Sequence, residues 1–244
     1  MQRAIQLSLL VVVLLAGCQA QSYPLPESQK LSAEKVARIA ATIEQAYPRL
    51  SVEVRSKLLN TVVQSLDNMV FVEGGEFQMG DFGWPYDDPT NLCDWPCGVE
   101  PEAMGRISPF GDDDFVHPVK LSSYHLSKFQ VKLEEFDLFF TAHDRPVFDA
   151  EYRIREDLQK RYHPDLPTAT KDWQEAKDYC NWLGQLSGYP VDLPTEAQWE
   201  YAVRNRGQHV AFPTDPMACS TRNGKSGSKL ASSITHKVPA AVGV

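Results

Sequence analysis

The stretch VDLPTEAQWEYAVRNRG, residues 191–207, dictates where one helix begins and ends. Thr195 can cap the first turn, and Gln198 three residues later is its capping-box partner. Gly207 is a typical C-terminal stop signal. The apolar residues between these signals recur at helical spacing, which predicts the packing face of the helix. These residues are Trp199, Ala202 and Val203.

The N-terminus has the pattern of an export signal. Arg3 precedes a nearly continuous apolar run, Leu7–Leu15, which is too short to span a bilayer as a helix and is typical of a signal peptide. The following Leu-Ala-Gly-Cys resembles the bacterial lipobox, which predicts lipidation of Cys18. An ordinary cleaved signal with an incidental cysteine is the alternative. Because Gln19 is not the aspartate that commonly retains lipoproteins in the inner membrane, we expect a cell-envelope lipoprotein anchored in the outer membrane and facing the periplasm.

The bulk composition limits the class of partner. The 244 residues carry 24 basic and 32 acidic side chains, a formal net charge of −8. Because phosphate binding needs a basic surface, this balance excludes a nucleic-acid partner. The hydrophobic fraction of 43% is close to that of a soluble globular protein, so the chain can form one domain of ordinary size or two small ones.

Four cysteines remain if Cys18 carries lipid, and the predicted compartment is oxidising. Cys93 and Cys97 are disulfide candidates because the CDWPC stretch can close a small loop, although three full pairings of the four are open. Cys180 lies in a predicted helix, where a buried thiol is expected. Zinc would need more ligands at defined spacing, so we predict no metal site.

The region before residue 69 divides into a tether and a helical hairpin. Residues 19–30 are polar, contain two prolines and lack periodicity, which is typical of a linker between the signal peptide (1–18) and a folded domain. Residues 31–68 contain two amphipathic stretches, with Ser32 and Ser51 as predicted caps. The short connection between them predicts an antiparallel hairpin. The hairpin carries no group of chemically active residues.

Short strand-like runs follow from Met69. MVFVEGGEFQMGD, residues 69–81, predicts a β-hairpin that turns at the two glycines. A long loop rich in glycine, proline and aspartate occupies 82–115, and its GDDDF sequence is interpreted as a solvated acidic turn rather than a calcium loop. From His117 the pattern changes from strand alternation to helical spacing, and a further helix is predicted around Cys180.

Four stretches, in this order, resemble the formylglycine-generating enzyme or sulfatase-modifying-factor family. They are MVFVEGGEFQMG, HPVKLSSYHLSKFQVKLEEFDLFF, WQEAKDYCNWLG and LPTEAQWEYAVRNRG. Together they cover residues 69–207, which predicts a partial domain of this family. Lys132 departs from the family pattern, which usually has valine, threonine and then a polar residue in this stretch. The resemblance gives this stretch a structural and not a catalytic role. The resemblance implies an α+β fold, a loop-rich variant of the C-type-lectin fold, preceded here by the helical hairpin.

The catalytic members of this family convert a sulfatase cysteine to formylglycine with copper and oxygen, while related modules bind ligands or serve structural roles. The family's copper is held by a cysteine pair near its C-terminus, and soft thiolates suit copper(I). After Gly207 only Cys219 is present. The resemblance therefore assigns no catalytic residue, no cofactor and no metal ligand to this chain.

Residues 208–244 are predicted to be an irregular tail, because they are polar, basic and weakly periodic. They can be a natural disordered tail or the product of a frameshift. Pro216–Arg222 can be encoded so that another frame reads Asn-Gly-Met-Leu-Asp-Pro directly after Asp215, a family-like continuation. We expect the loss of core partners in that case to leave the helix near residue 200 poorly covered.

Three functions follow from these observations. The first is a noncatalytic pseudoenzyme on an envelope lipoprotein, which binds a periplasmic protein or glycan and can act as an immunity-type protein. The second is a truncated or frameshifted form of a formylglycine-generating oxidoreductase that lacks its catalytic C-terminal part. The third gives the helical hairpin the main role, as an arm that binds a partner.

Overall fold

The fold is taken from a computed structural model, which describes residues 23–85, 95–96, 98–109, 111, 115–210 and 241–243. The predictions for the signal peptide, for the lipid site and for the disulfide candidates fall outside these residues. The cysteines concerned are Cys18, Cys93, Cys97 and Cys219.

The described part of the chain is an α+β structure. Its α-helices are α1 (Ala33–Ala46), α2 (Val52–Asp67), α3 (Leu133–Ala142), α4 (Ala150–Arg153), α5 (Trp173–Ser187) and α6 (Glu196–Val203). Its strands are β1 (Met69–Val72), β2 (Gly75–Met79), β3 (Trp84–Pro85), β4 (Met104–Gly105), β5 (His117–Leu121), β6 (Tyr124–Ser127), β7 (Val191–Asp192) and β8 (Ala241–Gly243). Short 3₁₀ turns lie at Pro101–Ala103 and Glu156–Tyr162.

The predicted helical hairpin is confirmed. The Ser32 side chain accepts a hydrogen bond from the Lys35 amide, and Ser51 does the same for Val54, so both predicted caps satisfy an otherwise unpaired N–H of a first turn. The helices α1 and α2 pack against each other across the short connection 47–51. Their apolar faces are continuous with the core of the rest of the domain.

Residues 23–30 dock on the hairpin, although they were predicted as part of a tether. Tyr23 is buried against the helices and belongs to the main core. The Ser28 hydroxyl donates to the Asp67 carboxylate at 2.7 Å, and the Lys30 ammonium donates to the Met69 carbonyl. The sequence pattern of this segment could not reveal these contacts, because each one depends on a partner about 40 residues away along the chain.

The predicted hairpin of residues 69–81 is wrong in its pairing. Both strands exist, but β1 pairs with β6 and β2 pairs with β5, each antiparallel. The two pairings share one register but are interrupted at residues 73 and 74, so they belong to two separate sheets. A side chain at Gly74 would meet the Leu121 carbonyl at 2.3 Å, so the two chains approach too closely there for any other residue.

The strand β8 completes the larger sheet. It lies between β6 and β7 and is antiparallel to both, which gives the strand order β1-β6-β8-β7. This strand falls within the range 208–244, where an irregular tail was predicted. The strands β3 and β4 form a separate two-stranded pair inside the predicted long loop.

The main core joins the hairpin to α3 and α5. Phe136, Phe139, Tyr179 and Trp182 form a set of ring contacts with centroids 5.4–5.8 Å apart. The Trp182 indole also donates to the Tyr47 hydroxyl at 2.7 Å, which connects α5 to the tip of the hairpin. Cys180 is buried in this core, as predicted.

A smaller core forms around Phe77, Tyr124 and Tyr201. Tyr201 is the buried residue of α6, whereas the predicted face of Trp199, Ala202 and Val203 is only partly buried. The prediction of that face is wrong because the helix is short and the strands β2 and β5 pack against a different side of it. The predicted cap is confirmed, since Thr195 and Gln198 form a reciprocal capping box.

The helix α5 ends at a glycine C-cap. Gly188 adopts the left-handed conformation, φ 70°, and its N–H bonds to the Gly184 carbonyl. Trp173 is 64% exposed and occupies the first position of the helix. Within the described residues, none of the helices has the length and apolar character needed to cross a bilayer.

We predict that Tyr47→Phe destabilises the domain. The substitution removes the acceptor of the Trp182 N–H, which is buried, and an unsatisfied buried donor costs about 1–3 kcal/mol of unfolding free energy. Urea unfolding of the two proteins measures the difference. Tyr189→Phe is the matched control, because Tyr189 is 36% exposed and its ring keeps the contact with Lys35. Equal losses in both variants would contradict the role of this hydrogen bond.

Candidate binding cleft

A cleft lies where the C-terminal end of α2, the β6–α3 connection and α5 meet. The space between its atoms is about 390 Å³, a volume that includes space open to solvent. Its apolar walls come from Met69, Phe129, Val131 and Leu183. Its polar groups come from Ser65, Asn68, Ser127, Gln130, Lys132, Glu135 and Tyr179.

Glu135 is the acidic group of the cleft. It is held by the first turn of α3, where its carboxylate accepts a hydrogen bond from the Lys132 backbone N–H at 2.9 Å. Burial raises the pKa of the Glu135 carboxyl, and this effect exceeds the opposing effects of the hydrogen bond and of the nearby Lys132 charge. The site therefore presents a carboxyl group that takes up a proton more readily than an exposed glutamate.

The Lys132 ammonium does not neutralise Glu135 directly. It lies 2.6 Å from the Asp165 carboxylate and 3.7 Å from that of Glu134, both on the outer side. The hydrogen bond with Asp165 is the main reason that the pKa of Lys132 is raised. Among the described residues, no cationic nitrogen lies within ion-pair distance of Glu135, so a cationic group entering the cleft can supply that charge.

Tyr179 forms part of the cleft floor. Burial is the largest cause that raises the pKa of its phenol, and the charge of Glu135 adds to it. The hydroxyl therefore stays protonated at any physiological pH and can act only as a neutral hydrogen-bonding group. The cleft thus combines neutral hydroxyl groups with one carboxyl group, which suits the binding of a basic or hydrogen-bond-donating group.

Two exposed aromatic side chains stand beside the cleft. Phe71 is 58% exposed and Phe129 is 59% exposed. Side chains alternate along a strand, so Phe71 lies on the same face of β1 as Met69, which lines the cleft. The Phe71 ring also contacts the cross-strand His125 ring edge to face, with centroids 5.4 Å apart. We call Phe71, His125 and Phe129 the aromatic rim.

The strand β1 is an edge of the four-stranded sheet. The Lys128 N–H bonds to the Asn68 carbonyl, and hydrogen-bonded positions alternate along an antiparallel ladder. Val70 and Val72 therefore direct their backbone groups to β6, while those of Phe71 point away from the sheet. The Met69 carbonyl on this outer side already accepts from Lys30, so the free backbone groups of the edge centre on Phe71.

Cys180, the cysteine within the described residues, has an unreactive thiol. Burial raises the pKa of the Cys180 thiol to about 12, with a smaller contribution from the Asp192 carboxylate. Since the thiolate is the form that attacks electrophiles and binds soft metals, Cys180 is suited to neither role. In the described ranges, no three His, Cys, Asp or Glu side chains converge as a metal site would require.

The cleft brings together none of the predicted site residues, because Cys18, Cys93 and Cys97 lie outside the described part. Sequence reasoning missed Glu135 and the aromatic rim. The signal for Glu135 was its position three residues after the helix start, which fits a capping partner as well as a site residue. Phe71 and Phe129 gave no signal, because their exposure beside the cleft depends on how β1 and the β6–α3 connection pack in the folded chain.

Comparison with known proteins identifies the fold family. Residues 55–239 match the sulfatase-modifying factor enzyme 1-like domain. This match covers well over half of the sequence. The chain belongs to that family. The predicted resemblance and the α+β, loop-rich fold of the family are thereby confirmed, and the match begins inside α2 rather than after the hairpin.

Named relatives include enzymes and an inactive protein. The formylglycine-generating enzyme of Bos taurus is 39% identical over 70 residues, which covers 28% of this chain and 17% of that one. The inactive C-alpha-formylglycine-generating enzyme 2 of Mus musculus is 26% identical over 172 residues, 59% of this chain and 50% of that one. This chain therefore spans half or less of the length of these relatives. The structure of PvdO from Pseudomonas aeruginosa is 20% identical with a TM-score of 0.39, covering 65% of this chain and 52% of that chain.

We predict that Glu135→Gln weakens the pH dependence of stability. The pKa of Glu135 is higher in the folded chain than its ordinary value of 4.5, so the folded state retains this proton to higher pH. Stability contributed by the protonated group is therefore complete below the unfolded-state value and declines as pH rises through the folded-state value. Glutamine cannot ionise, yet its amide oxygen can still accept from Lys132.

The measurement is urea unfolding at a series of pH values from about 4 to 7. Glu134→Gln is the control, because it removes an equal charge at an exposed neighbour in the same helix turn. The Glu135 variant should show a shallower decline than the parent or the control. An unchanged decline would mean that Glu135 titrates as an ordinary surface glutamate.

Proposed function

We propose that this protein is a noncatalytic envelope lipoprotein that binds a periplasmic protein through the cleft and its aromatic rim. The observation that carries the proposal is the placement of Phe71, an exposed aromatic residue on a free strand edge, beside a cleft with an unneutralised carboxyl group. Exposed aromatic side chains next to polar groups are typical of protein-binding sites.

The geometry favours an extended peptide segment as the part of the partner that is bound. A partner strand can bond to the outward N–H and C=O groups of Phe71 and extend the sheet beyond β1. Its alternate side chains would then face the aromatic rim and the cleft. The carboxyl group of Glu135 and the net charge of −8 favour a basic side chain at the cleft position. An immunity-type role, with a toxin as partner, is one form of this binding.

The chemistry of the cysteines supports a noncatalytic role. Copper in the catalytic family members is held by two cysteines near the C-terminus, whereas Cys219 is unaccompanied after Gly207 in this sequence. Cys180 is excluded by its burial and by a thiol pKa of about 12. The match to the relative named as inactive is compatible with this proposal, although relatives named as enzymes also match.

The N-terminal sequence supports the lipid anchor. The apolar run before Cys18 and the Leu-Ala-Gly-Cys sequence together supply the features that lipoprotein processing requires. A single acyl chain binds membranes weakly, so stable anchoring needs more than one. We infer that Cys18 carries the lipid and that the domain acts at the periplasmic face of the outer membrane.

The second candidate function is formylglycine generation, favoured by the similarity to the Bos taurus enzyme. It requires a copper-binding cysteine pair that these 244 residues lack at the position implied by the family. The family match through residue 239 weighs against a frameshift at codon 215, because it includes most of the affected range. Sequencing the gene through and beyond codon 244, followed by an assay of copper-dependent oxidation of a cysteine peptide, tests this candidate.

We predict that a photoreactive benzoylphenylalanine at Phe71 crosslinks to one partner in intact cells. The same amino acid is placed at Phe129, which should also crosslink, and at Ile154, which is 82% exposed, lies outside the cleft and is the control. A discrete adduct at Phe71 and Phe129 but not at Ile154 supports the proposal. Protease digestion of the adduct distinguishes a protein from a glycan. With the partner purified, Phe71→Ala should weaken binding about 30-fold, equivalent to about 2 kcal/mol. Equal crosslinking at all three positions would refute the cleft as the binding site.

We predict that Cys18→Ala moves the protein from the membrane to the soluble fraction. The substitution removes the sulfur to which lipid is attached, and the described helices supply no membrane span to replace it. Membrane fractionation and mass spectrometry of the mature N-terminus measure the result. Cys180→Ala is the control for a cysteine outside the lipobox. An unlipidated parent protein would remove the anchor from the proposal.

A further inference from the structure

The docked N-terminal segment fixes how far the domain can be from its anchor. Tyr23 is 8% exposed and lies beside Glu44, near the end of α1, and Arg55, in the first turn of α2. These two residues form an ion pair at 2.9 Å. Arg55 also donates to the Leu50 carbonyl in the connection between the helices. Tyr23, the first residue that the structure describes, therefore lies near the tip of the hairpin, which we define as residues 47–51.

The contacts after Tyr23 prevent this segment from acting as a long linker. Residues 23–30 run from the tip to the opposite end of the hairpin, where Ser28 and Lys30 contact Asp67 and Met69. Only four residues separate Cys18 from Tyr23. Even fully extended, this stretch reaches about 18 Å. A linker of twelve residues, as the composition of 19–30 suggested, would reach more than twice as far.

We propose that the tip of the hairpin lies against the phospholipid surface that holds the Cys18 anchor, with the cleft directed away from it. This inference rests on the lipid anchor of the proposed function. The tip exposes Pro48 and Arg49, and an arginine guanidinium can bond to a lipid phosphate. Because Ser65 and Asn68 lie at the other end of α2, the helix places the cleft about 24 Å from the tip.

This orientation links the anchor to the function of the cleft. A freely tethered domain would present the cleft in every direction, including toward the lipid. A domain held by its hairpin tip presents the aromatic rim to the periplasm, where an extended segment of a soluble partner can reach it. The short reach also confines binding to partners that come close to the membrane.

Energy transfer to a lipid-borne acceptor measures this orientation. The lipidated full-length chain is reconstituted in vesicles of phosphatidylethanolamine and phosphatidylglycerol, with a donor dye on an unnatural amino acid at Pro48 or at Glu34, so that Arg49 is retained. Glu34 lies in the first turn of α1, about 20 Å from the tip along the helix. We expect transfer about twofold higher from position 48 than from position 34, because transfer falls steeply with distance. Equal transfer from both positions would overturn the inference.

Two further variants separate orientation from anchoring. Insertion of about twenty Gly/Ser residues between Ala20 and Gln21 allows a separation of about 25 Å and should remove the difference between the two labels. Tyr23→Ala should reduce the difference by releasing the segment, while Tyr23→Phe should preserve it because the ring stays buried. Vesicle flotation reports the anchor separately: a parent chain that does not float refutes the lipid anchor, whereas one that floats with no label difference refutes only the orientation.

Discussion

The burial of one face of the helical hairpin against the aromatic side chains of α3 and α5 holds the rest of the structure in place. Phe136, Phe139 and Tyr179 supply most of the ring surface, and each large buried side chain contributes about 1.5–3 kcal/mol. Trp182 fixes the orientation of the hairpin relative to α5, because its N–H can bond to Tyr47 only when the tip of the hairpin lies over α5. The hairpin is therefore part of the domain core rather than an independent arm.

The cleft follows from the same packing. Met69 and Tyr179 belong to the main core, yet both also line the cleft, so the core ends where β1 begins. Phe71 lies two residues further along β1 and is exposed. Glu135 is drawn into this boundary because it caps its own helix, and burial changes its protonation in consequence. A local capping interaction thus places a titratable group beside an exposed edge strand.

Membership of the sulfatase-modifying factor enzyme 1-like family gives the fold but does not assign an activity to this chain. Relatives of this chain include proteins named as enzymes and proteins named as inactive, so the shared fold does not by itself determine an activity. Cys180 shows that a cysteine in the sequence does not by itself supply a thiolate for metal binding. Its burial keeps the thiol protonated, whereas copper(I) binding requires thiolates at the same point. The binding role that we propose uses surface groups that family membership alone would not reveal.

The sequence by itself determined the ends of the helices and the alternation of the strands. Ser32, Ser51 and Thr195 each accept from an N–H three residues later, and interactions this local depend on little else. The tertiary structure alone decided the partners of β1 and β2, the burial of Tyr201 in place of Trp199, and the docking of residues 23–30. Each of these depends on contacts between segments far apart in the chain, where many pairings satisfy the same local pattern and only the packed core selects one.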